Sequence, residues 1–242
     1  MFATLRSIPA RQTPTITKVS CAGPWEHGTS EFACDLINSA SGAPLGASDD
    51  IAASLADLPQ RAIVAVDGVD GAGKTTFADR LKPLIEGLGR QAVRASVDGF
   101  HNQAAVRHSR GKSSPLGYFL ESYNYDDLRH FLIEPFRMGE EVVETARFDH
   151  RVDLPRITRE IVSPSAILII DGIFLHRDEL WTLWDYSIFL SVPFALAYQR
   201  MALRDGCDPN PEADSNHRYH AGQLIYLDRC RPEERATLVI KG

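Results

Sequence analysis

From Arg61 onward, short apolar runs alternate with stretches in which apolar residues recur every three or four positions. That rhythm is the one expected of strands buried on both faces with helices packed over them. Strands are predicted at 62–66, 92–97, 166–170, 186–192 and 237–240. A helix is predicted over 74–88, with Phe77, Leu81, Leu84 and Leu88 on its apolar side and Pro83 expected to kink it or to start a new turn. Further helices are predicted at 125–136 and 194–204, and no internal repeat is present. The alternation predicts an α/β fold, a doubly wound and mainly parallel sheet, occupying residues 61–242 as one domain.

Residues 1–60 break this rhythm. Met1 to Trp25 contains Arg6, Arg11 and Lys18 with no acidic residue, and Ser39 to Asp50 is built largely of Ser, Gly, Ala, Pro and Asp. The reading is an N-terminal extension, loosely structured, with a short helix over 49–58 presenting Ile51, Leu55 and Leu58 and leading into the domain. An acid-poor start with Ser and Thr also has the composition of an organelle transit peptide, but it lacks the apolar core of a secretory signal. A cytoplasmic protein is the main expectation, with organelle targeting as the lesser one.

Composition narrows the function classes. The 242 residues are 44% hydrophobic and 24% charged, an ordinary globular balance that excludes a fibrous or wholly disordered chain. The formal net charge of -6 gives no long-range attraction to nucleic acid or anionic lipid, so a small soluble substrate is expected and neither nucleic acid nor membrane is a partner. The apolar runs fall far short of the roughly 20 residues that span a bilayer. Cys21, Cys34, Cys207 and Cys230 form no CxxC pair and have no His at zinc-ligand spacing, so a redox or zinc motif is not indicated.

The most specific pattern is Gly68-Val-Asp70-Gly71-Ala72-Gly73-Lys74-Thr75-Thr76, which fits GxxxxGK[ST] and lies between a predicted strand and a predicted helix. Its glycines let backbone N–H groups turn inward around phosphates, and the following helix adds its positive end. Lys74 reaches the outer phosphates and Thr75 offers a hydroxyl to Mg²⁺. ATP and Mg²⁺ are therefore the expected cofactors, on a phosphate-loop (P-loop) nucleoside triphosphate hydrolase fold. Asp171 ends the run Ala166 to Ile170, which puts a carboxylate at the carboxyl end of a buried strand as a second Mg²⁺ partner. Asp98 ends another strand, so it opens on the same crevice and suits the base that takes the proton of an attacking hydroxyl. Beside it, Gly99 leaves room for close approach, Phe100 is placed to wall a sugar or base, and His101 and His150 are candidate hydrogen-bonding groups.

Taken together, Gly68 to Thr76, Val97-Asp98-Gly99-Phe100-His101, Tyr123-Asn124-Tyr125-Asp126, Ile170-Asp171-Gly172-Ile173 and Leu203-Arg204-Asp205 resemble the uridine kinase group. That group lies within the uridine kinase, phosphoribulokinase and bacterial pantothenate kinase family, whose members are P-loop kinases. The resemblance covers about residues 61 to 240 and implies transfer of the ATP γ-phosphoryl group to a hydroxyl of a small metabolite. It implies that Asp98 is the base, that Tyr123 and Asp126 lie on the acceptor, with Asp126 holding ribose hydroxyls, and that Arg204 stands at the base of the lid helix. In Phe148-Asp149-His150-Arg151 it places His150 and Arg151 near the nucleobase. It also points to a homo-oligomer, and to weaker adenine contacts because relatives run on past the last strand. The wording Asp-Gly-Phe-His is closer to pantothenate kinases, which keeps pantothenate, a sugar or a sugar phosphate open beside uridine or cytidine.

Asp205 to His220 is rich in Asp, Pro, Asn and Gly and is expected to form a mobile lid that excludes water. Arg204 and Arg218 are its candidate nucleotide-binding cations. The basic run Arg107 to Lys112 reads as a solvated or anion-handling loop. The alternative of another class, a nucleotide-dependent regulatory switch, lacks an NKxD guanine motif, and the one DxxG lies inside the phosphate loop.

Overall fold

The computed structural model describes residues 17–20 and 46–242. Most of the N-terminal extension, with Cys21 and Cys34, lies outside the described residues. The chain runs β1 (Thr17–Ser20), α1 (Gly46–Ala56), β2 (Ala62–Gly68), α2 (Lys74–Gly87) and β3 (Ala92–Ser96). A 3-10 turn, Val97–Phe100, then leads to α3 (Ala104–Arg107), α4 (Pro115–Glu121), α5 (Tyr125–Leu128) and α6 (Glu134–Met138). There follow the strands β4 (Val142–Asp149), β5 (Leu154–Ile161), β6 (Ile167–Gly172) and β7 (Tyr186–Ser191). The chain closes with α7 (Phe194–Asp205), α8 (His217–Cys230), α9 (Pro232–Arg235) and β8 (Leu238–Lys241).

Six strands form a parallel sheet in the order β1-β8-β7-β2-β6-β3. β2 and β6 are buried along their whole length because both faces are covered. Alternate side chains of β2 divide between two cores, since successive Cβ atoms leave a strand on opposite sides. Ile63 and Ala65 join Leu168, Phe174 and Tyr226 on one face. Ala62, Val64 and Val66 join Phe77, Leu81 and Ile85 of α2 on the other, together with Ile51 and Leu55 of α1. Two elements that precede residue 61, β1 and α1, thus add to the same sheet and core.

Several predicted elements differ in detail. Helix α2 runs unbroken through Pro83, whose position is exposed, so the helix bond that proline cannot make is lost on the water side. Its buried face is Phe77, Ala78, Leu81 and Ile85, while Leu88 is exposed. The helix predicted over 125–136 is instead α5 and α6 joined by a wide π-type turn, Arg129–Ile133. Pro135 has no N–H to give Phe131, and the turn loosens just before it. The antiparallel hairpin β4–β5 has no counterpart in the predicted elements. Among the described residues no helix is long and apolar enough to cross a membrane.

Candidate active site

The carboxyl ends of β2, β3 and β6 meet at one crevice of about 850 Å³. Sheet register decides what stands there: Asp171 lies beside Val66 on one side and Ser96 on the other. Ser96 Oγ donates to the Asp171 carbonyl at 3.2 Å and accepts from Asp98 N at 3.3 Å, so one hydroxyl starts the turn that carries Asp98.

The phosphate loop leaves β2 at Gly68 and enters α2 at Lys74. Gly71 has φ +76°, and a Cβ there would stand 2.3 Å from the Ala197 carbonyl, so only glycine lets α7 pack on the loop. Lys74 Nζ donates to Val69 O at 2.9 Å, curling back over the loop. Asp171, 2% exposed, accepts from Thr75 Oγ1 at 2.8 Å and from Arg94 at 2.9 Å. A hydroxyl and a carboxylate in contact at the end of the phosphate loop are the hard oxygen donors that Mg²⁺ takes. The residues present therefore fit a Mg-nucleotide. Arg94, also paired with Asp79, was invisible in the sequence because only strand register brings it to Asp171.

On the opposite wall, Tyr123 Oη donates to Asp98 Oδ1 at 3.0 Å. Burial pushes the Tyr123 phenol well above its ordinary range, and the Asp98 charge adds to the rise, so it stays a neutral donor. His101 stacks on His150 at 4.2 Å and leans on Tyr123 at 4.5 Å. Among the described residues, the cations lining the crevice are Lys74 and Arg204.

Burial pushes the His101 imidazole down to about 4, although Asp98 pulls it the other way. The folded protein keeps this ring neutral where the unfolded chain, with an ordinary His near 6.5, binds a proton. Its contribution to stability is therefore complete above about pH 6.5 and lost as pH falls toward about 4. Urea unfolding at pH 7 and pH 4.5 is expected to show a His101-dependent loss of about 2–3 kcal/mol, which His101→Gln removes.

The crevice gathers Asp70, Gly71, Gly73, Lys74, Thr75, Thr76, Asp98, Tyr123, His150, Asp171 and Arg204. Other predicted site residues stand elsewhere. Gly68 and Ala72 are buried beneath the loop, Gly68 against Leu190. Phe100, 1% exposed, belongs to the core and walls no ligand. Gly99 makes room for β4, since a Cβ there would meet Ala146 at 2.8 Å. Asp126 is exposed on α5, outside the crevice lining. Arg151 is exposed beyond β4, where its N–H donates to Asp149.

Arg218 requires the clearest correction. Its guanidinium is not offered to a nucleotide but donates to the carbonyls of Arg107, Gly111, Lys112 and Ser114, pinning the basic loop. Arg107 and Arg110 of that loop pair with Asp153 and Glu121. Arg218→Ala is expected to cost about 1–3 kcal/mol and to speed proteolysis within residues 107–114, with Mg-ADP affinity unchanged. The segment expected to form a lid, Asp205 to His220, is not all loop: α8 begins at His217, and Asn216 donates to the carbonyls of Asp208 and Asn210. Arg204 lines the crevice while paired with Asp205.

A strand, a glycine-rich turn, a helix opening on Lys-Thr and a carboxylate on the neighbouring strand define the P-loop class of nucleotide-binding α/β proteins. Within that class the chain belongs to the phosphoribulokinase / uridine kinase family, whose model matches residues 63–208. It is a P-loop kinase, a phosphotransferase with an alcohol acceptor, and kinases of this family use ATP with Mg²⁺. Solved structures share the fold. A possible uridine kinase from Bacillus stearothermophilus matches with TM-score 0.64 and 22% identity, over 80% of this chain and 96% of that one. D-glycerate 3-kinase from Cryptococcus neoformans matches with TM-score 0.53 and 12% identity, over 77% and 89%.

Proposed function

We propose that this kinase phosphorylates a hydroxyl of an uncharged nucleoside of the uridine or cytidine type, with Mg-ATP as donor. The observation that carries this reading is the make-up of the Asp98 wall. A carboxylate, a neutral tyrosine and the His150 imidazole offer hydrogen bonds and a ring face, while His101, outside the crevice lining, backs His150 by stacking on it. A sugar phosphate, a glycerate or a pantothenate brings an anion that asks for a cation at that end. Arg107 and Arg147 are already tied to Asp153 and to Glu144 and Asp127, and Arg151 stands exposed outside the crevice lining.

Bound Mg-ATP supplies the γ-phosphoryl group, with the cation drawing charge from the phosphate oxygens. Thr75 and Asp171 are the residues that would hold the metal, with Arg94 fixing Asp171 through its other carboxylate oxygen. Lys74 and the loop amides hold the phosphates. Asp98, oriented by Tyr123, accepts the proton of the acceptor hydroxyl on its carboxylate. Arg204, turning from Asp205, offsets charge on the transferring group, and the 205–216 segment serves as the lid that excludes water.

The test is ADP release from Mg-ATP in the presence of uridine, cytidine, ribose, fructose, pantothenate, D-glycerate and ribulose 5-phosphate, with a no-acceptor control. Stimulation by uridine or cytidine is expected. Stimulation confined to an anionic acceptor overturns the substrate assignment, and nucleotide binding without transfer to any acceptor returns the switch reading.

A further inference from the structure

Asp70 is a residue of the phosphate loop, and its charge opposes the anion that the loop is built to hold. Its position is nevertheless fixed from two elements. Gln223 of α8, fully buried, accepts from Asp70 N at 2.8 Å and donates to Oδ2 at 3.3 Å. Tyr118 of α4 donates its Oη to the same Oδ2 at 2.8 Å. Oδ1 takes no hydrogen bond among the described residues; Lys74 Nζ stands 4.0 Å away, beyond hydrogen-bond reach. Asp70 lines the crevice together with Asp98.

The two carboxylates are held by one segment. Tyr118 donates to Asp70, and Tyr123, just past the end of α4, donates to Asp98. Both rings pack edge-on against the buried Phe174, which ties their separation to the core. Burial raises both phenols well above their ordinary range, so both remain donors. The wall that orients the base therefore also orients the loop carboxylate, while the nucleotide phosphates have Lys74 and the loop amides for partners.

We propose that Asp70 is a specificity residue for the acceptor, its Oδ1 accepting a hydrogen bond from a second hydroxyl of the molecule whose reacting hydroxyl meets Asp98. This rests on the kinase reading above, and it moves the Asp70 side chain from the nucleotide to the acceptor. A carboxylate only accepts, so it selects a hydroxyl and rejects a carbonyl, a carboxylate or a phosphate at that position. The acceptor class is then a polyol with at least two free hydroxyls, the vicinal pair of a ribose being the fitting case. A deoxy analogue leaves Oδ1 desolvated and unpaired, which is the arrangement that discriminates strongly. The rival role for Asp70, steering the Lys74 ammonium, predicts a defect on the nucleotide side.

Asp70→Asn separates the two, because its amide oxygen keeps the bonds from Tyr118 and Gln223 and only Oδ1 becomes a donor. With the acceptor found in the panel, the expected result is an acceptor KM raised about tenfold or more, with ATP KM and Mg-ADP Kd unchanged or lower. The variant is also expected to lose the preference for the diol over its deoxy analogue. A raised ATP KM with unchanged acceptor KM overturns the proposal and leaves the kinase reading standing. Absence of turnover with every uncharged hydroxyl compound overturns both. Should the variant fail to fold, the unaltered enzyme gives the answer: equal kcat/KM for the diol and for each of its deoxy analogues overturns the proposal.

Discussion

Asp98→Asn is expected to cut turnover by about a hundredfold or more while leaving the KM for ATP in place, since a positioned base contributes on that scale and touches no phosphate contact. The substitution is nearly isosteric. The amide oxygen still accepts from Tyr123 at the position of Oδ1, and the turn started by Ser96 is unaffected. What changes is the ability to hold a proton, so the loss belongs in kcat. The measurement is steady-state ADP release against acceptor concentration, paired with Mg-ADP binding by calorimetry. Near-normal turnover removes Asp98 from the role of base.

The second large effect concerns stability. Asp67, fully buried at the end of β2, accepts from Gly68 N at 2.7 Å, from His176 N at 3.1 Å, from His176 Nδ1 at 2.7 Å and from Tyr226 Oη. The carboxylate thus joins the first residue of the phosphate loop, the segment after β6 and helix α8. His176 is itself fully buried, its Nε2 has no hydrogen-bond partner among the described residues, and its carbonyl accepts from Arg235. Asp67→Ala strands these buried donors, and the expected cost is about 3–5 kcal/mol in urea or thermal unfolding. That is a large fraction of the roughly 5–15 kcal/mol of a typical domain. Tyr226→Phe is expected to cost less alone, and the pair less than the sum of the two, because both remove the same bond. Simple additivity overturns the view of this cluster as one unit.

Which parts of this were legible in the sequence follows from how local their causes are. The sheet was legible because β2, β6 and β7 are buried on both faces and so read as continuous apolar runs. The phosphate loop was legible because its chemistry is contiguous from Gly68 to Thr76. The hairpin escaped because β5 is exposed at every position and carries no periodic signal. Arg218 and Phe100 were misjudged for a common reason: their partners lie far along the chain, in the 107–114 loop and in the core. Tyr118 and Gln223 gave no signal at all, since the group they hold is a single carboxylate in another element. Asp126 carries the motif that resembles a ribose-holding carboxylate, and a motif fixes residue type without fixing which way a short, broken helix turns.

The edge strand β1 has a consequence for how the molecule is made. Among the described residues it pairs with β8 alone, Thr17 opposite Leu238, so a strand made before β2 must wait for one made after β7. Pairing across so long a stretch of chain closes slowly. The strands β3, β6 and β2 already have their neighbours by the time β8 is synthesised, whereas β7 still lacks one. Loss of β8 therefore removes two strands from the sheet, and a nascent chain stalled short of Leu238 presents β7 as an uncovered, aggregation-prone edge.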